Sequence, residues 1–375
     1  MARCLSFTAA RDRCYDRNFS AAGLRPTATV LGDGATVHCW APKSPDPGHS
    51  PLLLIHGFGA NAKWQWAGYL RPLLRSGFDL YVPDLLFFGG SEAPRPDRSE
   101  AYQARCLAAA MEALGARRFG VVGNSYGGFV AYQMAAMFPE AVERVVLISA
   151  GVCLEERDLA AGLFVVSNVA EAASILLPQR PDKLRQLVRL SFCNPPRVLP
   201  TCCIWDYIQV MCTAHVTEKT ELINALVKDR KLSDLPKITQ PTLIIWGEQD
   251  RIFPLELAHR LERHLGENSQ LIVIKNAGHA VNLEKSKEVC EHIKAFFLNF
   301  APKGHKNHMC YGTRWKIIVR FAGLSIRRLA AKLPLLLQKK TEIFFFSIIV
   351  LLSCRSVEGR SNVEKKPNHF KYLYE

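Results

Sequence analysis

The sequence has no cysteine pair spaced C-x-x-C, no continuous apolar segment near its start, no internal repeat and no apolar run long enough to cross a bilayer. Each absence removes a class of protein. The twelve cysteines are scattered, so they spell neither a zinc knuckle nor a redox motif. The opening stretch "MARCLSFTAARDRCYDRNFS" lacks the apolar core of a secretory signal, and the expectation is reduced thiols in a cytoplasmic protein. Its Arg, Ser and Ala content would suit an organelle transit peptide, but Asp12 and Asp16 count against that reading. Net charge is also scarce over most of the chain. The formal total is +14, yet residues 1–300 carry 33 basic and 30 acidic side chains, while residues 301–375 carry 15 and 4. A nearly neutral body argues against a nucleic-acid partner, and the basic part is the tail.

What the chain does have is a series of short apolar runs, in a composition that is 49% hydrophobic. "PLLLIHGFG", "FDLYVPDLLFFGGS", "RFGVVGN" and "VERVVLISAG" are apolar on both faces, as buried parallel strands are. Helical patterns such as "SEAYQARCLAAAMEALG" lie between them, which predicts an α/β doubly wound sheet. "TATVLGDGATVHCW" reads as a hairpin turning at Gly32-Asp33-Gly34, not as a phosphate loop. After Gly151 the alternation gives way to helices with breakers, and it resumes at "QPTLIIWGEQD" and "SQLIVIKNAGH". The expected organisation is an N-terminal segment (1–25), a first core part (26–151), a helical cap (152–235), a second core part (236–300) and a basic, partly apolar tail (301–375). An inserted cap would sit over the carboxyl ends of the strands, where open α/β sheets bind ligands.

"VVGNSYGGFVAYQMAA" sets Ser125 among glycines where an apolar run meets a helical pattern. A sharp strand-to-helix turn brings the residues two before and two after its apex nearly into collision, and Gly123 and Gly127 are small enough to allow it. A serine at such an apex becomes a nucleophile only with an imidazole to take its proton and a carboxylate to orient the imidazole. On this topology the order is serine, acid, histidine. Asp250 closely follows one buried-strand run and His279 the next. Either alone has an ordinary reading, a helix cap for Asp250 and a loop residue for His279; their agreement in order and placement makes them the candidate triad with Ser125. The backbone N–H of Tyr126, after the nucleophile, and that of Phe58, in the turn "HGFGANAKW", are the candidate oxyanion donors. His56 reads as a brace for that turn. Asp84 reads as a backbone fixture for Gly89-Gly90-Ser91.

Taken together, "HGFGANAKWQW", "GNSYGGF", "LIIWGEQD" and "NAGHAVNLEKSK" resemble the α/β-hydrolase fold serine hydrolases, in particular the plant monoacylglycerol lipase-like hydrolases. The likeness covers most of residues 1–298. It implies a mostly parallel eight-stranded sheet with helices on both faces, an inserted helical cap, a Ser-His-Asp triad, no cofactor and a small lipophilic ester as substrate. Epoxide hydrolases and haloalkane dehalogenases share the fold but carry aspartate at the elbow, where this chain has Ser125. Meta-cleavage product hydrolases, which cut carbon-carbon bonds, also show a G-N-S-x-G-G elbow. The strigolactone and karrikin receptors are hydrolase-like signalling proteins with complete triads, a non-enzymatic alternative that the residues flanking Ser125 resemble less.

Phe164, Val165, Trp205, Tyr207 and Met211 in the cap, with Trp64 and Trp66 after the oxyanion turn, are expected either to line an acyl site or to pack cap on body. The body shows no metal-ligand cluster, and "HKNHMC" in the tail lacks a fourth partner. Within the tail, "RWKIIVRFAGLSIRRLAAKLPLLLQKK" mixes cations with bulky apolar residues, and "IFFFSIIVLL" is about half the roughly 20 residues a spanning helix needs. The tail therefore reads as a peripheral membrane contact or as an unconstrained, disordered extension. Truncation after Ala301 should leave activity and melting temperature intact under both readings. Binding of the full chain to anionic vesicles, lost on truncation, would select the membrane contact; loss of fold would move the domain boundary.

Overall fold

The computed structural model of the protein describes residues 6–298. The apolar runs become β1 (Leu24–Val30), β2 (Thr36–Pro42), β3 (Ser50–Ile55), β4 (Phe78–Pro83), β5 (Phe119–Asn124), β6 (Val142–Ile148), β7 (Thr242–Gly247) and β8 (Ser269–Ile274). They form one eight-stranded sheet in the order β1-β2-β4-β3-β5-β6-β7-β8. The first two strands are an antiparallel hairpin and β2 joins β4 antiparallel; all remaining neighbours are parallel. The hairpin turns where expected, with Gly34 at φ 87° and its N–H on Leu31 O at 2.9 Å.

Five helices precede β6: α1 (Phe7–Ala21), α2 (Ala62–Trp66), α3 (Leu70–Leu74), α4 (Glu100–Ala113) and α5 (Tyr126–Met137). Between β6 and β7 lie α6 (Arg157–Ala160), α7 (Val169–Leu176), α8 (Pro181–Ser191), α9 (Thr201–Met211) and α10 (Val216–Val227). The chain then adds α11 (Leu255–Leu265), α12 (Val281–Glu284) and α13 (Ser286–Leu298). Asn61, Ser99 and Asn168 cap the N-termini of α2, α4 and α7 with side-chain oxygens, supplying acceptors that a helix cannot give its own first N–H groups.

Strands apolar at every position follow from burial on both faces. Leu53, Ile55, Val121, Val145, Leu147, Ile244 and Trp246 face a core shared with α4, α5 and α11. Their neighbours Leu52, Leu54, Val122, Val146, Ile148, Leu243 and Ile245 face a second core with α2, α3 and α13. Successive side chains point to opposite sides of a strand, so two cores require two apolar sets in one run. Each such side chain contributes about 1.5–3 kcal/mol on full burial. The same burial pushes the Cys106, Cys212 and Cys290 thiols up to about 11 and that of Cys153 up to about 12, keeping them protonated and unreactive.

The segment between β6 and β7 is tied to the flanking helices by partly buried charge pairs: Arg260 on α11 donates to Asp158 on α6 at 2.6 Å, and Arg230 after α10 donates to Glu100 on α4 at 2.5 Å. Ala173, Leu177 and Ile223 make a small separate core, into which the Phe58 ring packs.

Helix α1 is an element that the sequence pattern does not reveal. Only Thr8 and Phe19 of its residues are buried, so it has no apolar stripe. It is held by polar bonds instead. The tail 301–375, with its proposed membrane or disordered character, lies outside the described residues. Among the described residues no helix is long and apolar enough to cross a membrane.

Where β5 turns into α5 the backbone passes itself so closely that a Cβ on Gly123 would lie 2.3 Å from Gly127 O and 2.6 Å from Gly128 Cα. Both neighbours are backbone and cannot swing aside. Gly123→Ala should therefore lower stability by about 3 kcal/mol or more, the upper range for overpacking. Gly68→Ala, whose Cβ would meet nothing within 4 Å, should stay within about 0.5 kcal/mol of wild type. Urea melts of the two proteins would check the contrast.

Candidate active site

Three parallel strands deliver the candidate triad to one edge of the sheet. Ser125, between β5 and α5, has φ 52° and ψ −120°, strained values for a residue with a side chain. Its N–H donates to Ile148 O on β6 at 2.8 Å, and its carbonyl accepts from Gly128 N at 2.8 Å, so both sides of the strained residue are fastened. Asp250 follows β7. One oxygen of its fully buried carboxylate accepts the N–H groups of Ile252 and Phe253, each at 2.8 Å. The other oxygen is thereby left to face His279, which follows β8, at 2.8 Å from Nδ1. The opposite ring nitrogen, Nε2, is 2.9 Å from Ser125 Oγ.

The carboxylate can only accept, so the His279 proton resides on Nδ1 and Nε2 is free to accept from the serine hydroxyl. Phe253 packs edge-on against the imidazole at 5.4 Å between ring centres. The loop carrying His279 is gripped from the far side: Glu284 accepts from Gly278 N at 2.7 Å and from Cys193 N at 3.1 Å, and Ala280 N donates to Ser191 O at 2.8 Å. The end of α8 thus helps hold the imidazole.

The side chains of Phe58 and Tyr126, whose backbone N–H groups are the candidate oxyanion donors, meet edge-to-face with ring centres 4.9 Å apart. Tyr126 is the first residue of α5; its N–H has no acceptor within the helix, and the positive end of the helix favours an anion there. His56 is the brace the sequence suggested. It is completely buried, Nδ1 donates to Gly57 O at 2.8 Å, Nε2 accepts from Leu85 N at 3.0 Å, and burial pushes its pKa down, so it stays neutral. Asp84 is likewise a fixture, accepting from Ala62 N at 3.0 Å, Gly90 N at 3.4 Å and His38 Nδ1 at 2.8 Å. Burial opposes its charge, but bonds from His38 and Ala62 outweigh that and hold the carboxyl below its usual range.

The aromatic residues divide. Phe164 lies 6.3 Å from Phe253, the ring that backs His279. Trp66 instead belongs to the body core, with none of its surface exposed, whereas Val165 and Trp205 are 61% and 42% exposed. Tyr207 is bonded through its polar end, the hydroxyl donating to Gly59 O in the candidate oxyanion turn, while its ring meets Trp64 edge-on at 5.7 Å.

Asp12 on α1 carries no mark of a site residue in the sequence. It accepts from Asn61 Nδ2 at 2.9 Å, Trp64 Nε1 at 2.9 Å and Lys63 Nζ at 2.8 Å, all three residues lying in or just before α2, immediately after the oxyanion turn. Asp16 adds a second bond to Lys63 at 2.5 Å. Burial disfavours the Lys63 ammonium, but the two aspartates outweigh it and raise its pKa. At its start α1 also reaches α9, where Thr8 N donates to Asp206 at 2.7 Å. The i, i+4 spacing of Asp12 and Asp16, which puts both on one helix face, is the only local signal of this role. Among the described residues, no group of three or more His, Cys, Asp or Glu side chains could hold a metal ion.

Residues 52–292 match the sequence profile of the alpha/beta hydrolase family. The chain is 28% identical over 295 residues to Lipase 1 of Psychrobacter immobilis, covering 75% of this chain and 86% of that one. It is also 28% identical over 247 residues to a 2-hydroxy-6-oxo-2,4-heptadienoate hydrolase of Pseudomonas putida, covering 64% and 85%. Among solved structures it resembles a lipase-like protein of Acinetobacter baumannii with a TM-score of 0.65 at 23% identity, over 77% of this chain and 95% of that one, a likeness of fold.

The hydrogen-bonded line from Asp250 through His279 to Ser125 predicts a graded set of losses. Ser125→Ala should abolish labelling by a fluorophosphonate probe and leave the melting temperature nearly unchanged. Asp250→Asn should stay folded but lose about 10⁴-fold in turnover, because the amide no longer holds the reactive tautomer. His279→Ala should lose at least as much. Undiminished labelling of Ser125→Ala would place the nucleophile elsewhere.

Proposed function

Because the chain belongs to the alpha/beta hydrolase family, we propose that it is a serine hydrolase cleaving carboxylic esters of lipophilic acids, monoacylglycerols among them, through an acyl-enzyme on Ser125. One observation carries the reading: His279 Nε2 stands 2.9 Å from Ser125 Oγ while Asp250 holds Nδ1 at 2.8 Å. In the proposed cycle Ser125 Oγ attacks the ester carbonyl and its proton passes to His279 Nε2. The carbonyl oxygen becomes an anion facing the N–H groups of Phe58 and Tyr126. Collapse of this intermediate breaks the bond to the alcohol, which leaves with the proton from Nε2. Water then attacks the acyl-serine, giving its proton to Nε2; release of the acid returns that proton to Ser125. Donors that are fixed before charge develops need no rearrangement at the moment of reaction.

No cofactor enters this cycle, and the partner it calls for is a small ester. Phe253 beside the imidazole, with Phe164 packed against Phe253, supports an apolar acyl group. Burying a chain there contributes about 0.8 kcal/mol per methylene, or roughly fourfold in kcat/KM per carbon at best. A second reading, hydrolysis of a carbon-carbon bond in a vinylogous diketone, is supported by the Pseudomonas putida relative and by the run Gly123-Asn124-Ser125-Tyr126-Gly127-Gly128. A series of p-nitrophenyl and glyceryl esters assayed beside one such diketone separates them. Activity should rise over the first several added carbons. A response flat in chain length, or diketone cleavage with negligible esterase activity, would favour the second reading.

A further inference from the structure

We infer that Gln65 is a positioning residue that sets the spacing and direction of the two oxyanion donors, an inference that rests on the serine-hydrolase reading above. Gln65 lies on α2, nearly buried, eight residues beyond the turn that it serves. Its Oε1 accepts from Gly57 N and from Asn124 Nδ2, both at 2.9 Å. Its Nε2 donates to Gly57 O at 3.0 Å and to Phe58 O at 3.3 Å. Those four bonds use both lone pairs and both hydrogens of the side-chain amide. The orientation of the amide is also settled by its partners. A backbone N–H can only donate and a carbonyl can only accept, so oxygen must face Gly57 N and nitrogen Gly57 O.

The consequence for catalysis comes from peptide geometry. Gly57 C=O and Phe58 N–H belong to one planar trans unit and point in opposite directions. His56 Nδ1, at 2.8 Å, and Gln65 Nε2 both hold Gly57 O, so together they fix where the Phe58 N–H aims. The second donor, Tyr126 N–H, stands two residues after Asn124, which Gln65 also holds. One side chain therefore joins the turn bearing the first donor to the elbow bearing the second. The two segments are in contact: a Cβ on Gly57 would lie 2.8 Å from both Asn124 O and Ser125 Cβ. Close packing sets how near they come, and Gln65 sets their angle. The helix carrying Gln65 is itself anchored by Asp12 through Asn61, Lys63 and Trp64.

Two variants test this. Gln65→Met keeps length and bulk without hydrogen bonds; Gln65→Glu keeps shape but turns an oxygen toward Gly57 O and Phe58 O. Each is measured for kcat and KM on a short p-nitrophenyl ester, for melting temperature, and for hydrogen exchange over residues 56–62, with wild type and Ser125→Ala alongside. The expected result is a kcat about 10- to 100-fold lower, somewhat less than deletion of a donor costs, with KM within about threefold and faster exchange at Gly57 N–H. A variant that melts below the assay temperature is replaced by the other, and exchange measured in the cold still reads the turn. If wild type turns over esters and both folded variants keep kcat within about twofold, the inference is overturned. If wild type itself fails to turn over esters, the esterase reading falls alone; faster exchange over residues 56–62 then still supports the positioning role, and unchanged exchange overturns it.

Discussion

Ser125 is held where an L-residue does not rest by itself, and most of the site is arranged to keep it there. A φ of 52° with ψ of −120° costs on the order of 1–3 kcal/mol and persists only when the surroundings over-determine it. The restraints come from three directions. Ile148 O on β6 takes the serine N–H, the first turn of α5 takes its carbonyl, and the near contact of Gly123 with Gly127 O leaves the chain no room to relax. A central strand buried on both faces is what makes such restraint available, because β5 cannot shift without disturbing two cores at once.

From that point the site divides into parts with different tolerances. Asp250 and His279 sit on short loops directly after β7 and β8, and their separation is inherited from sheet register, which a one-residue slip would destroy. The candidate oxyanion turn depends on side-chain bonds: from its own His56, from Gln65 on α2 and from Tyr207 on α9. The segment between β6 and β7 is bonded to both parts of the site. It supplies one bond to the turn through Tyr207 and another grip on the His279 loop through Ser191 and Cys193.

Much of this was legible in the sequence because its causes are local. Runs such as "TLIIWG" follow from burial on both faces, and the small residues around Ser125 follow from a close approach that any elbow of this kind must make. His56 and Asp84 could be assigned as braces since one partner of each, Gly57 O and Gly90 N, lies in the turn that it adjoins or precedes, while their bonds to Leu85, Ala62 and His38 were not legible. The sequence left open which aromatic residues line a site and which pack, because periodicity shows that a ring is wanted without showing which wall it joins; Trp66 belongs to the body and Trp205 is partly exposed. Residues working through distant hydrogen bonds left almost no trace. Tyr207 finds its acceptor 148 residues away, and Asn124 finds Gln65 across 59. Helix α1 was missed for the related reason that its attachment is polar, with Phe19 as its one large buried apolar anchor.

That attachment bears on the order in which the chain acquires its final form during synthesis. Chains emerge from the N-terminus, and domains begin to organise as they emerge. Among the described helices α1 emerges first, yet its bonds to Asn61, Lys63 and Trp64 must wait for about 50 further residues, and its bond from Thr8 to Asp206 spans 198. The imidazole that completes the line to Ser125 arrives 154 residues after the serine. Over those 154 residues of elongation the nascent chain therefore carries Ser125 without His279, and α1 spans the gap to α9 only after the elements in between have been made. Although α1 is made before the other described elements, it is among the last of them to be secured.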